Sequence, residues 1–168
     1  IRAKELYSEI IKGAWLNGEP GMVWLDRINK DNTTPALGTI NATNPCGEQP
    51  LLSGESCNLG SINVGKFVIN DSFDETRFAK VVSTCVHFLD NVVDANQHPT
   101  EYTTSMNQAT RKIGLGIMGF ADLLVQLHVP YNSEKARIIG QYVMKHIQIW
   151  ADDESLNLGI TRGVFPTW

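Results

Sequence analysis

Apolar positions recur at helical spacing in four stretches of the chain and at strand-like spacing in two. Leu6, Ile10, Ile11 and Ala14 follow three- and four-residue steps, which predicts an amphipathic helix over 3–16. Gly18-Glu19-Pro20-Gly21 ends it as a turn. Residues 22–28 fit a short strand or a helical turn. Polar, turn-forming residues fill 29–43, which reads as a loop, and 38–49 extends that irregular region. Residues 59–68 have the composition of a strand. Ser72-Phe73-Asp74-Glu75 has capping-box spacing, and Phe78, Val82, Cys85, Leu89 and Val92 follow on one helical face. That helix should end near Asn96, ahead of Pro99. Residues 100–112 are polar and undecided. A short buried strand is predicted over 113–117 and a helix over 120–127. After a break at 130–133 the last helix runs over 134–156, with Ile139, Val143, Ile147 and Trp150 on one face. No repeat and no linker divides this α/β, helix-rich pattern.

The length of 168 residues allows one real core. A net charge of −4 disfavours a sequence-independent grip on nucleic acid or anionic lipid, although a nucleotide needs only local donors. No run of about 18 apolar residues occurs. The nearest approach, 113–131, is interrupted by Asp122, Gln126 and His128. Neither membrane nor nucleic acid is therefore an expected partner. The chain starts at Ile1 and stops just past a helical stretch, so both ends read as cuts in a longer protein. Its three cysteines argue for reduced thiols in the cytoplasm rather than a disulfide framework. None has C-x-x-C spacing, and no metal ligands are assigned. Cys85, on the apolar stripe, reads as a small buried hydrophobe. Nothing singles out any of the four histidines.

Two strings carry candidate chemistry. Asn44, Cys46 and Glu48 alternate with Pro45 and Gly47, and in an extended segment alternate residues share one side. Pro45 and Gly47 make poor strand material and suit a loop tip. An amide can bind hydroxyls, a thiol can give up a hydrogen atom, and a carboxylate can serve as general base. Nearby negative charge disfavours a thiolate, so this spacing suits deprotonating a substrate more than activating a nucleophile. From spacing alone, a polar turn with an incidental cysteine is the favoured reading. The second string, Gly114 to Gly119, is a literal G-x-G-x-x-G. A helix after it would suit a dinucleotide site. The polar residues 107–112 before it, and Glu134 at a helix start beyond it, suit packing glycines instead.

The string Asn44-Pro-Cys-Gly-Glu-Gln-Pro-Leu51 resembles the finger loop of ribonucleotide reductases. Glu55-Ser-Cys-Asn-Leu-Gly-Ser-Ile-Asn63, Phe88 to Asp94, Arg111 to Leu124 and Arg162 to Pro166 resemble further blocks of that family, in family order. The first block is most similar to the adenosylcobalamin-dependent class. The resemblance implies a ten-stranded α/β barrel, of which residues 1–168 would be a helix-rich part with the finger loop at about 38–51. It implies reduction of ribonucleotides for DNA synthesis. Cys46 would be the thiyl radical that takes the ribose 3′-hydrogen, Glu48 the base at the 3′-hydroxyl, and Asn44 the amide on the ribose hydroxyls. Cys57 would be one of the reducing pair, its partner lying upstream. The implied cofactor is adenosylcobalamin, or alternatively a radical supplied by a separate metal-carrying subunit. The implied partners are a ribonucleotide, a thioredoxin-type reductant and a second copy in a homodimer. An isolated chain is expected to be inactive. Two rivals stay open: a nicotinamide-dependent oxidoreductase using Gly114–Gly119, and a non-catalytic structural fragment.

Overall fold

Residues 1–53 and 54–168 form separate units in the computed structural model, which describes the whole chain. In the first unit, helix α1 (Ala3–Asn17) ends at Gly18, whose φ of 85° is the left-handed turn that glycine adopts without penalty. None of its residues is buried, so the apolar stripe makes a helix without a cover in this chain. Residues 22–28 resolve toward the helical alternative, as α2 (Leu25–Lys30). The Asn29 carboxamide organises the polar stretch that follows. Its Nδ2 donates to the carbonyls of Leu25 and Ile40, both at 2.7 Å, and its Oδ1 accepts from Ile40 N at 2.8 Å. Buried Ile40 and Leu52 flank a two-stranded antiparallel hairpin, β1 (Ala42–Thr43) with β2 (Pro50–Leu51).

The second unit begins with β3 (Asn58–Asn63). This strand stops short of the predicted 68 because Asn63 Oδ1 accepts from Gly65 N and turns the chain into a 3₁₀ turn, Val64–Lys66. A hairpin follows, β4 (Val68–Ile69) with β5 (Ser72–Phe73). Asn70 and Asp71 at its tip have φ of 50° and 60°, the positive values of a two-residue type I′ turn. Ser72 is therefore a strand residue, and the predicted capping box gives way to Asp74. Its carboxylate accepts from Arg77 N at the start of α3 (Glu75–Ala95). Asn96 is the C-cap of α3, as its pattern requires.

The undecided residues 100–112 hold α4 (Glu101–Thr110), capped by Thr100. Then come β6 (Ile113–Met118), α5 (Phe120–Gln126) and α6 (Glu134–Arg162). α6 runs past the predicted 156 because Leu158 is buried and Arg162 is anchored on Asp90. Arg111, left-handed at the end of α4, donates to both carboxylate oxygens of Asp94 and to Asp90 Oδ1 and O. The Arg111 hydrogen bond holds the Asp94 carboxyl below its ordinary range. Arg162 shares Asp90 at 2.6 Å and also reaches Asn91 and His87, so one network ties α3, α4 and α6.

β3 and β6 run parallel, in register from Asn58↔Ile113 to Asn63↔Met118, with α3 and α4 as the crossover that parallel strands require. Ile62, Leu115 and Ile117 pack with Phe78, Val82, Val143 and Ile147 of α3 and α6. Cys85 packs at the edge of the same core, as its place on the stripe requires. The opposite face of the strand pair, with Leu59 and Met118, stays exposed. Strands covered by helices on one face and open on the other are what a segment of an α/β barrel wall presents.

Candidate active site

The three candidate residues Asn44, Cys46 and Glu48 sit on the tip between β1 and β2. The tip is not extended, and the alternate-residue argument does not describe it. Gly47 N donates to Asn44 O at 3.0 Å, closing a four-residue β-turn with Pro45 and Cys46 at its centre. Cys46 has a negative φ, so the turn is of type I, which favours Asn first, Pro second and Gly fourth. Asn-Pro-Cys-Gly has that order, a signal legible in the sequence alone. Asn44 Oδ1 also accepts from Gln49 N at 3.0 Å, bracing the loop across its mouth. The amide of Asn44 is thus partly committed to the loop, and its NH₂ group remains as a donor. Cys46 and Glu48 are exposed, and Asn44 is half-buried. The turn and the residue after it place an amide, a thiol and a carboxylate on one short tip.

Cys57 belongs to the second unit, immediately before β3, and is half-buried. Burial pushes its thiol up; the Lys112 charge opposes this and the Glu55 charge adds to it. The segment carrying it is docked on α4 by groups that the sequence reading did not single out. Buried Asn107 accepts through Oδ1 from Ser56 N at 2.7 Å and from Ser56 Oγ at 2.6 Å. Its Nδ2 donates to Thr103 O at 2.6 Å. Gly54, at φ 82°, lies so close to the Tyr102 ring that a Cβ would stand 2.4 Å from Cε1. Lys112 Nζ pairs with Glu55 Oε2 at 2.8 Å. A polar residue inside a ten-residue polar helix gives no periodic signal, so Asn107 was invisible without its partner.

Two glycines of the string, Gly114 and Gly119, serve packing, while Gly116 faces open space. Gly114 and Gly116 lie within β6 itself, not in a turn after it. A Cβ on Gly114 would stand 2.4 Å from Leu59 Cδ2, and one on Gly119 would stand 2.1 Å from Asn63 Oδ1. Gly119 also needs its φ of 69° to open α5. Gly119→Ala should therefore cost roughly 2 kcal/mol, combining left-handed strain with displacement of Asn63 from Gly65. Urea unfolding checks this; a variant as stable as the parent sequence would show that the glycine is not there for packing.

The sequence model of the family described as "Ribonucleotide reductase, barrel domain" matches residues 1–168. The chain is 48% identical over 169 residues to a vitamin B12-dependent ribonucleoside-diphosphate reductase of Thermoplasma acidophilum, covering 100% of this chain and 22% of that protein. It is 46% identical over 166 residues to the enzyme of the same name from Mycobacterium tuberculosis H37Rv, covering 99% of this chain and 24% of that one. It is 33% identical over 172 residues to a ribonucleoside-diphosphate reductase subunit alpha of Chlamydia trachomatis, covering 100% and 16%. This chain thus spans about a fifth of the length of the curated relatives it matches. In three dimensions it superposes on the Actinobacillus ureae class Id ribonucleotide reductase alpha subunit with a TM-score of 0.77. That match has 20% identity and covers 98% of this chain and 33% of the other. The open-faced β3–β6 pair under its helices is accordingly a piece of barrel wall, and the chain belongs to the ribonucleotide reductase barrel-domain family.

Proposed function

We propose that the parent of this chain reduces ribonucleoside diphosphates to deoxyribonucleotides by thiyl-radical chemistry, with Cys46 as the radical site. The observation that carries this reading is the hairpin tip, where one β-turn holds Asn44 and Cys46 and the next residue is Glu48. The Cys46 sulfur radical takes the ribose 3′-hydrogen, and the Glu48 carboxylate takes the 3′-hydroxyl proton. The Asn44 NH₂ group holds the ribose hydroxyls. The 2′-hydroxyl leaves as water, and at the end Cys46 returns the hydrogen to C3′ and Glu48 the proton to the 3′-oxygen, which restores the sulfur radical and the carboxylate. Cys57 and a second cysteine outside these residues supply two electrons and two protons, and close to a disulfide. A dithiol protein of the thioredoxin type reopens it. The free thiols of this chain fit a reducing compartment such as the cytoplasm. A homodimer is the assembly we assign to the parent.

The relatives named as vitamin B12-dependent support adenosylcobalamin as the cofactor. When bound, it supplies the one-electron chemistry that a thiol cannot start alone. The residues of this chain do not form a cradle for it by themselves. Two clefts, of about 410 and 510 Å³, are open grooves in the second unit, lined by residues such as Glu101 and Pro166 or Lys80 and Phe88. No helix is long and apolar enough to cross a membrane.

Glu48→Gln in the full-length parent, supplied with adenosylcobalamin and a dithiol, tests the assignment. Removing a general base costs about 10²- to 10⁴-fold, so kcat should fall by that much while KM changes little. An unchanged kcat would remove Glu48 from the chemistry.

A further inference from the structure

The reaction as described leaves one feature beside Cys57 without a use. Lys112 and Glu55 form an ion pair of 2.8 Å in which the Lys112 side chain is 17% exposed and the Glu55 side chain is fully enclosed. The register Asn58↔Ile113 sets the preceding residues, Cys57 and Lys112, at the same end of the parallel strands. A Cβ on Gly114 would lie 3.4 Å from Cys57 Sγ, so the thiol rests over the β6 backbone just past Lys112. Enclosed ion pairs contribute little net stability, because desolvation offsets the attraction. Stability alone does not account for a pair placed here.

We propose that Lys112 is the electrostatic partner of Cys57, stabilising the thiolate that Cys57 becomes when its disulfide is reopened, and that Glu55 is the positioning residue that holds Lys112 there. This rests on reading Cys57 as a member of the reducing pair. In the exchange, a thiolate of the external dithiol attacks the sulfur of the partner cysteine. The S–S bond breaks, and its electron pair leaves on Cys57 Sγ, which then takes a proton from water. The second thiol of the external protein attacks the mixed disulfide, releasing the partner cysteine and leaving the external dithiol oxidised. The leaving sulfur departs faster when its thiolate is stabilised. In a half-buried position burial opposes that thiolate, and the ammonium of Lys112 offsets the burial. Glu55 on the same segment and Lys112 ahead of β6 are the charged groups that act on the sulfur. Burial, with the Glu55 carboxylate adding to it, limits the effect, so that the resting cysteine still carries its hydrogen.

The test uses Lys112→Gln, Lys112→Arg and Glu55→Gln in the full-length parent. Alkylation of Cys57 by iodoacetamide is followed against pH, read on the Cys57 peptide by mass spectrometry. Lys112→Gln should move the alkylation profile to higher pH, and Glu55→Gln should move it to lower pH. Removing the Lys112 ammonium leaves the burial of the thiol unopposed, which sets the first direction. Lys112→Arg should restore a profile near that of the unmodified protein. Dithiol-driven turnover of Lys112→Gln should slow several-fold, with its pH profile displaced upward in step. Shifts of the same sign in Lys112→Gln and Glu55→Gln, or no shift in either, would overturn the electrostatic pairing. Opposite shifts that turnover ignores would instead overturn the redox reading of Cys57 beneath it.

Discussion

Cys46→Ser in the full-length parent should lose deoxyribonucleotide formation by at least about 10⁴-fold, the scale on which removing an enzyme's reacting side chain is felt. The effect should fall on kcat and leave ribonucleotide binding within a few-fold. The geometry of the tip explains the separation. Its turn is closed by Gly47 N on Asn44 O, and its mouth is braced by Asn44 Oδ1 on Gln49 N. Pro45 presets the backbone of the turn. None of these bonds involves the sulfur, and serine is nearly the same size. The variant hairpin therefore keeps Asn44 and Glu48 in place and loses only the weak S–H bond, which a radical generator can open where an O–H bond resists. Turnover under saturating dithiol and adenosylcobalamin, beside equilibrium dialysis of the nucleotide, reads both halves. Activity within tenfold of the unmodified enzyme would leave the tip without a radical role. Loss of nucleotide binding together with turnover would make Cys46 a structural residue instead.

The sequence made the helices legible and the short-range turns less so. The stripes of α3 and α6 announce themselves because one face of each is paid for by a shared core of Phe78, Val82, Val143 and Ile147. The same reasoning found α1, yet could not tell that its face has no cover within the chain, because periodicity reports a face and not its partner. The start of α3 went wrong at Ser72 for a local reason. The Asn70-Asp71 tip pulls Ser72 into a hairpin and hands the cap to Asp74. The glycine string showed the opposite failure, where a pattern associated with a cofactor is filled by Leu59 and Asn63. At the candidate site Pro45 and Gly47 announce the loop tip that the hairpin forms. The shared-side argument needs an extended segment, whereas Asn-Pro-Cys-Gly spells a type I turn. The surroundings of Cys57 lay beyond reach, because Asn107 and Lys112 meet Glu55 and Ser56 only through contacts more than fifty residues apart in sequence.

Phe78→Ala should be the most destabilising single change in the second unit, at about 3–5 kcal/mol, the range for deleting a buried phenylalanine side chain. Phe78 is fully buried and meets three elements at once. Its ring stands edge-on to Phe67 and Phe73 at 5.1 Å and to Trp150 at 5.7 Å. Such contacts add to the area term, and here they join the β4–β5 hairpin and α6 to α3. The neighbours cannot close the gap cheaply. Phe67 also lies under the Arg77 guanidinium at 5.2 Å, and Trp150 packs against the tilted His146 ring along α6. Phe78→Leu keeps much of the volume and should cost well under half as much. Hydrogen exchange in the full-length parent gives the local reading, since opening free energies are resolved element by element. The amides of α3 and α6 should lose protection together in Phe78→Ala, because Phe78 and Trp150 couple the two helices. Protection lost in α3 alone would show that α6 is held by the Arg162 anchor on Asp90 rather than by the aromatic cluster. Unchanged protection in both would refute the assignment of Phe78 as the centre of this core.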